Sequence, residues 1–152
     1  MTADRIEKRV ELDAPVARVW RALTDHREFG QWFGVKLSGP FVPGKASRGQ
    51  LTHPGYEHVA LEMEVVQMEA ERLFSFRWHP YAVDPEVDYS KEPRTLVEFS
   101  LEEIASGTAL RVTESGFDQL PAGRRRVDAF RMNDGGWDTQ LIRIGNHVSQ
   151  KR

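Results

Sequence analysis

The first candidate for chemistry is a glutamate near the end of a predicted strand. Glu114 follows Leu110 and Val112 at alternate positions, so the three side chains share one face of that strand. If that face is the interior, an unpaired Glu114 costs several kcal/mol or stays protonated. It could then serve as a polar anchor or as a general acid or base. The alternative is an ion pair at the rim of the sheet with Arg77 or Arg111.

A second carboxylate interrupts the apolar stripe of a long helix predicted over residues 121–148. Asp134 lies three residues before Trp137, so a continuous helix would point it into the apolar face. Gly135-Gly136 follows at once, and glycine is unfavourable inside a helix. Two interpretations stay open: the helix kinks or restarts with Asn133 or Asp134 as its cap, or Asp134 lines a cavity.

Aromatic residues are numerous, and most of them are expected to form an ordinary core. A cavity needs only a few that fail to pack tightly, and aromatic walls with few polar groups suit an apolar or aromatic small molecule. Glu114, Asp134 or His79 would orient such a molecule, while no residue is assigned a catalytic role. The candidate ligand-binding residues are Trp32, Phe33, Met63, Phe74, Phe76, Trp78, Phe99, Glu114, Phe130, Asp134, Trp137 and Leu141.

Size and composition exclude several classes of protein. The 152 residues suit one domain spanning 1–152, and the formal charge of −2 argues against general attraction to nucleic acid. No cysteine is present, and the five histidines show no metal-binding spacing, so neither a metal nor a cofactor is predicted. No run is long and apolar enough to insert in a membrane, and a cytoplasmic location is expected.

Hydrophobic periodicity predicts the first elements. A half-buried strand covers residues 5–12, with Lys8 as the one misfit in its alternation. Asp13 can cap the helix that follows, and Asp25 can cap a second short helix that reaches Gln31.

From Val35 the period becomes two, with about six strands joined by turns before the long helix. Strands joined in this way form an antiparallel sheet whose buried face the helices must cover. The polar segment between His79 and Arg94 is long for a hairpin connection, so it is a lid or a mobile loop. The basic run Arg124–Arg126 is interpreted as a solvated first turn of the long helix.

Four segments, in the same order, resemble one known family. They read LDAPVARVWRALTDHREFGQWF, EVVQMEAERLFSFRW, TLVEFSLEEIASGTALRVTESGF and AFRMNDGGW. They are similar to the short bacterial form of the family named for the activator of heat shock protein 90 ATPase. That family belongs to the START-like, polyketide cyclase-like superfamily. The resemblance implies an α+β helix-grip fold, in which a curved antiparallel sheet of about six or seven strands wraps around a long C-terminal helix. Two short helices are expected after the first strand.

Three hypotheses about function follow from these patterns and from the resemblance. The first is a protein that binds a small hydrophobic molecule between the sheet and the long helix. The second is a cyclase-like or hydrolase-like enzyme that uses the cavity carboxylates as acid and base. The third is an interaction module that regulates a chaperone in a stress response. A monomer or a weak homodimer is expected in each case.

Overall fold

The computed structural model describes residues 4–149, which form seven strands and three α-helices. Short 3₁₀ turns precede β6 and α3. The elements, in chain order, are β1 (Arg5–Leu12), α1 (Val16–Thr24), α2 (His26–Phe33), β2 (Val35–Leu37), β3 (Ala46–Leu51), β4 (Ala60–Glu69), β5 (Leu73–Trp78), β6 (Thr95–Ile104), β7 (Gly107–Ser115) and α3 (Arg124–Ser149).

All seven strands belong to one curved sheet with the order β1-β7-β6-β5-β4-β3-β2. Every neighbouring pair is antiparallel: five pairs join strands that follow one another through a turn or loop, and the sixth joins β1 to β7. The three α-helices cover the buried face of this sheet, and α3 contacts β1, α1 and α2. The predicted helix-grip fold is therefore confirmed.

The core between sheet and helices is dominated by aromatic rings. Phe74 and Phe76 of β5 are fully buried beside Phe99 of β6, as their alternation predicted. Phe29 of α2 packs edge-on against Phe76, with ring centroids 6.5 Å apart. Burial of such large apolar side chains is the main source of stability in a domain of this size.

The two short helices confirm one predicted cap and correct two details. Asp25 accepts hydrogen bonds from the backbone N–H groups at the start of α2, as expected. Asp13 does not cap α1, because Pro15 occupies the N-cap position and no side chain caps it. Helix α2 also continues past Gln31 to Phe33.

Gly34 ends α2 at a position that favours glycine. Its φ of 94° is in the left-handed region, and a Cβ there would lie 2.4 Å from Nε2 of His53. The ring of His53 therefore approaches the end of α2 closely, and His53 Nε2 lies 3.1 Å from the carbonyl oxygen of Phe33.

Helix α3 runs without interruption through Gly135-Gly136. The predicted restart is therefore wrong, and neither Asn133 nor Asp134 is a helix cap. Packing of the apolar face of α3, including Trp137 and Ile144, outweighs the low helix propensity of two glycines.

A partly buried ion network joins the short helices to α3. Glu28 lies 2.6 Å from Arg18, 2.8 Å from Arg21 and 2.9 Å from Nε2 of His147. Burial alone would raise the pKa of Glu28, but hydrogen bonds from His147 and Arg18, together with the positive charge of Arg18, lower it to about 2.

This network predicts a loss of stability in acid. A folded-state pKa below the unfolded value of 4.5 contributes stability above pH 4.5 that is lost as the pH falls towards 2. As the pH falls through this window, the free energy of unfolding should decrease in both proteins. We expect the decrease in the parent protein to exceed that in Glu28→Gln by on the order of 3 kcal/mol. Urea titrations at pH 6, 4 and 2.5 measure it, with Glu102→Gln as an exposed control. Parallel pH profiles for the parent and Glu28→Gln would contradict the assignment.

Candidate functional site

Glu114 lies between the sheet and the long helix. On β7 it is paired with Ile6 of β1 on one side and with Val97 of β6 on the other. Its side chain is fully buried and projects from the same face as Leu110 and Val112. The alternative of an ion pair at the rim of the sheet is therefore wrong.

Four side chains donate hydrogen bonds to the Glu114 carboxylate. From the sheet, Trp78 Nε1 and Thr95 Oγ1 donate to Oε2 at 2.8 and 2.6 Å. From α3, Trp137 Nε1 donates to Oε1 at 2.8 Å, and Asn133 Nδ2 lies 3.0 and 3.2 Å from the two oxygens. The carboxylate therefore links the sheet to the helix through both of its oxygens.

The register of the sheet and the period of the helix bring these donors together. Trp78 and Thr95 are directly opposite each other on β5 and β6. Asn133 and Trp137 are four residues apart, which places them on one face of α3. The indole rings of Trp78 and Trp137 stack with centroids 5.9 Å apart, so that both N–H groups reach the same carboxylate.

Two opposing effects act on the charge of this group. Removal from water is the larger effect and raises the pKa of Glu114, while the hydrogen bonds from Thr95, Trp78, Trp137 and Asn133 oppose the rise. The indole and amide nitrogens can only donate, and therefore they favour a carboxylate over a protonated acid.

A cleft of about 550 Å³ lies next to Glu114 and its donors, and two of these donors, Trp78 and Asn133, belong to its lining. Its walls come from the end of β3, the start of β4, the loop between β5 and β6, and α3. Most of the lining is apolar or aromatic. The lining residues are Phe33, Leu51, His53, Pro54, Tyr56, Val59, Ala60, Leu61, Glu62, Trp78, His79, Tyr81, Ala82, Val83, Tyr89, Met132, Asn133, Gly136 and Gln140.

Gly136 contributes open space to this cleft. A Cβ added to it would meet no atom within 4 Å, and the same is true of Gly135. Only Gly136 lines the cleft. The two adjacent glycines therefore differ in what they face and not in local crowding.

The loop between β5 and β6, residues 79–94, is held over the cleft by an arginine of α3. Arg125 pairs with Glu92 at 2.9 Å and lies over the ring of Tyr89, 4.8 Å from its centroid. Its guanidinium also donates to the carbonyl oxygen of Tyr81 at 3.3 Å. The interpretation of the basic run as a solvated turn is therefore wrong for Arg125, although Arg124 is exposed.

The structure distributes the candidate ligand-binding residues over three environments. Phe33 and Trp78 line the cleft, and Glu114 is buried behind Trp78. Phe130 packs against Phe117, with centroids 5.2 Å apart. The remaining apolar candidates are buried in the core outside the cleft lining: Trp32, Met63, Phe74, Phe76, Phe99, Trp137 and Leu141.

Asp134 lies outside the cleft. Its side chain is 46% exposed and forms an ion pair with Lys8 of β1 at 3.1 Å. Asp138 binds the same ammonium group at 3.2 Å. The hydrogen bond that Lys8 donates to Asp134 is the main reason that the pKa of Lys8 is raised. The two residues that broke their local patterns, Lys8 and Asp134, therefore neutralise each other.

Several cleft residues were not among the sequence candidates. Asn133 and Gln140 lie on the cleft side of α3. Each is three or four residues away from Gly136 and Trp137, and this spacing in the sequence already indicated that they share one side of the helix. The sequence offered His53 only as one of five histidines without metal-binding spacing, but it follows β3 in a turn and lines the cleft. No local pattern distinguishes a turn that faces solvent from one that forms a wall.

Residues 4–149 contain neither a candidate metal site nor a candidate membrane-spanning helix. No group of three or more histidines and carboxylates is placed to hold a metal ion. In the same range, none of the helices combines the length and apolar character needed to cross a membrane.

Comparisons with known proteins extend the description. Residues 13–148 match the family described as "Activator of Hsp90 ATPase homolog 1-like protein". No curated protein matches the sequence significantly.

Solved structures share the fold over nearly the whole chain. DynU16, from the dynemicin biosynthetic locus, is 26% identical to this chain, with a TM-score of 0.75. The match covers 98% of this chain and 48% of DynU16, so this chain spans about half the length of DynU16. MLL2253 from Mesorhizobium loti is 21% identical with a TM-score of 0.77, over 97% of this chain and 98% of that one. The Aha1 dimer from Colwellia psychrerythraea is 18% identical with a TM-score of 0.71, over 96% of both chains. The last two show similarity of fold alone.

Proposed function

The chain belongs to the family of Activator of Hsp90 ATPase homolog 1-like proteins, and from the geometry of its cleft we propose that it binds a small hydrophobic or aromatic molecule between the sheet and α3. The observation that carries the proposal is the cleft of about 550 Å³ with largely apolar and aromatic walls. Sites for small molecules typically measure about 300–1,000 Å³ and have this kind of lining. DynU16, a relative from a biosynthetic locus, supports a small-molecule ligand.

The geometry favours binding over acid–base chemistry at Glu114. An acid or base must reach the proton that it transfers, directly or through one water. Glu114 has no exposed surface and does not line the cleft. Its oxygens already accept hydrogen bonds from Trp78, Thr95, Asn133 and Trp137. Glu114 therefore supports the back wall of the cleft by fixing Trp78 and Asn133.

The paired glycines of α3 provide the test. Gly136→Leu fills the cleft, whereas Gly135→Leu adds the same side chain outside it. Both changes should stabilise α3 by up to about 1 kcal/mol, because leucine is the better helix former. We expect the affinity for the fluorescent probe N-phenyl-1-naphthylamine to fall at least about tenfold in Gly136→Leu and to stay within about twofold in Gly135→Leu.

Loss of binding without loss of stability would assign the effect to the cleft. Equal probe binding by both variants would refute the proposal. Native mass spectrometry of the protein purified from its own host adds the mass of any molecule that copurifies. That mass should be present in the parent protein and in Gly135→Leu but reduced in Gly136→Leu.

A further inference from the structure

We propose that the ligand of the cleft carries hydrogen-bond donors, such as hydroxyl or amine groups, on an apolar or aromatic scaffold. This inference rests on the proposed function and specifies the chemical class of the ligand. It follows from the polar side chains that line the cleft, because each of their five donor nitrogens already binds an oxygen of the protein.

Five lining side chains carry a nitrogen donor, and each of them donates to a protein oxygen. Two of these nitrogens hold Glu114, two hold the carbonyl oxygen of Phe33 and one holds that of Glu92. The donors are Trp78 Nε1 and Asn133 Nδ2 to Glu114, His53 Nε2 and Gln140 Nε2 to Phe33, and His79 Nε2 to Glu92.

These bonds determine the chemistry that remains for a ligand. A carbonyl oxygen can only accept, so Nε2 of His53 and of His79 carries the proton, and Nδ1 is an acceptor in the neutral ring. The amides of Asn133 and Gln140 turn their nitrogens to the protein, which leaves their oxygens, and one of the two N–H groups of Gln140, for a ligand. Glu62 also lines the cleft and can only accept when ionised, although one of its oxygens already pairs with Arg48 at 2.7 Å.

Gln140 gives the strongest indication that the ligand supplies a hydrogen-bond donor. Its Oε1 is buried and has no hydrogen-bond partner among the described protein atoms. Exchanging the two ends of the amide would not relieve this, because oxygen would then face the carbonyl oxygen of Phe33, now 3.0 Å from Nε2. An unpaired buried acceptor is costly, and Gln140, unlike Glu114, lines the cleft, so a ligand donor that reaches Oε1 gains more there than at an exposed group.

The tyrosines that line the cleft do not reverse this balance. The hydroxyl groups of Tyr56, Tyr81 and Tyr89 can both donate and accept, so they tolerate either kind of ligand. The site as a whole should bind a ligand that offers only acceptors less tightly, because such a ligand would leave protein acceptors such as Gln140 Oε1 unpaired. Sites built to bond a hydroxyl discriminate strongly against analogues that lack it.

Matched pairs of probes test the inference by calorimetry. Each pair shares a scaffold and differs in the donor: 2-naphthol with 2-methoxynaphthalene, and 4-phenylphenol with 4-methoxybiphenyl. We expect each phenol to bind at least about tenfold more tightly than its methyl ether. The ether is the more apolar member of each pair, so burial of apolar area alone would give the opposite order.

A variant at Gln140 tests whether this residue causes the preference for the phenol over the ether. In Gln140→Met, the ratio of the two affinities should fall at least about threefold. Gln31→Met makes the same change on the exposed face of α2, outside the cleft, and should leave the ratio unchanged. Equal binding of phenol and ether, or tighter binding of the ether, would overturn the inference and leave the proposed function standing. Binding of no probe in either pair would overturn both.

Discussion

Replacing Glu114 with leucine is expected to cost about 4–6 kcal/mol of folding free energy. The change leaves the donors of Trp78, Thr95, Asn133 and Trp137 buried without an acceptor, and each such group costs about 1–3 kcal/mol, less than additively. That loss is comparable to the whole stability of a typical domain, about 5–15 kcal/mol. Chemical denaturation at neutral pH measures it.

Glu114→Gln keeps the prediction testable if the leucine variant does not fold. Glutamine can keep its oxygen towards Trp137 and Asn133, and the hydroxyl of Thr95 can rotate to accept from the new amide. The N–H of Trp78 then loses its acceptor, so the expected cost is about 1–3 kcal/mol.

NMR adds a specific signature to the stability measurement. The indole N–H resonances of Trp78 and Trp137 should shift in Glu114→Gln, because both groups donate to this carboxylate. Glu102→Leu, at an exposed position of β6, is the matched control and should change stability by less than about 0.5 kcal/mol. A cost below about 1 kcal/mol for Glu114→Leu would show that the carboxylate does not hold the sheet and helix together.

Trp137→Ala is expected to cost about 3–5 kcal/mol, the second large effect. The Trp137 ring is 3% exposed and packs against Phe33, Trp78 and Phe99. Its loss leaves a cavity and removes one donor from Glu114. Urea melts of the purified variant measure the change.

Two further substitutions separate packing from hydrogen bonding. Trp137→Phe keeps much of the apolar area but removes the indole N–H, so it should cost less than Trp137→Ala. Ile142→Ala, on the exposed side of the same helix, should cost less than about 0.5 kcal/mol, since Ile142 is 66% exposed. A change below 1 kcal/mol for Trp137→Ala would place its ring beside open space or solvent.

Local patterns were sufficient for the order of the elements and for the face of β7 that carries Glu114. Alternation placed its side chain on the face of Leu110 and Val112, but the choice between the interior and the rim of the sheet stayed open until the structure showed it fully buried. Its partners were not predictable in the same way. Trp78 and Thr95 lie on β5 and β6, which are joined by a long loop, and they reach Glu114 because β5, β6 and β7 pair side by side. The pairing of strands depends on the whole sheet and not on the periodicity of one segment.

Asp134 shows how a local pattern can mislead. On a helical wheel it fell near the apolar face of α3, which suggested a kink or a cavity. The structure pairs it with Lys8, the misfit of the first strand, far away in the sequence. Two exceptions to periodicity can satisfy each other only after the chain has folded, so neither residue reveals the pairing alone.

The walls of the cleft were the least predictable part. Phe33 and Trp78 were among the candidates, but much of the lining comes from turns and from the loop between β5 and β6. These segments have no periodicity that would reveal which side faces a cavity. Arg125, which ties this loop to α3, was interpreted from its neighbours as a solvated residue.

The pairing of the first strand with the last has a consequence for how the chain acquires its structure. Five of the six strand pairings join consecutive strands, but β1 pairs residues 5–12 with residues 108–115, about a hundred positions later. During synthesis, at about 5–20 residues per second, β1 must wait several seconds for its partner. It waits with charged residues such as Arg5, Glu7 and Arg9 at alternate positions, which oppose pairing with other chains. The closing of this long loop, rather than the local hairpins, should limit the rate of folding.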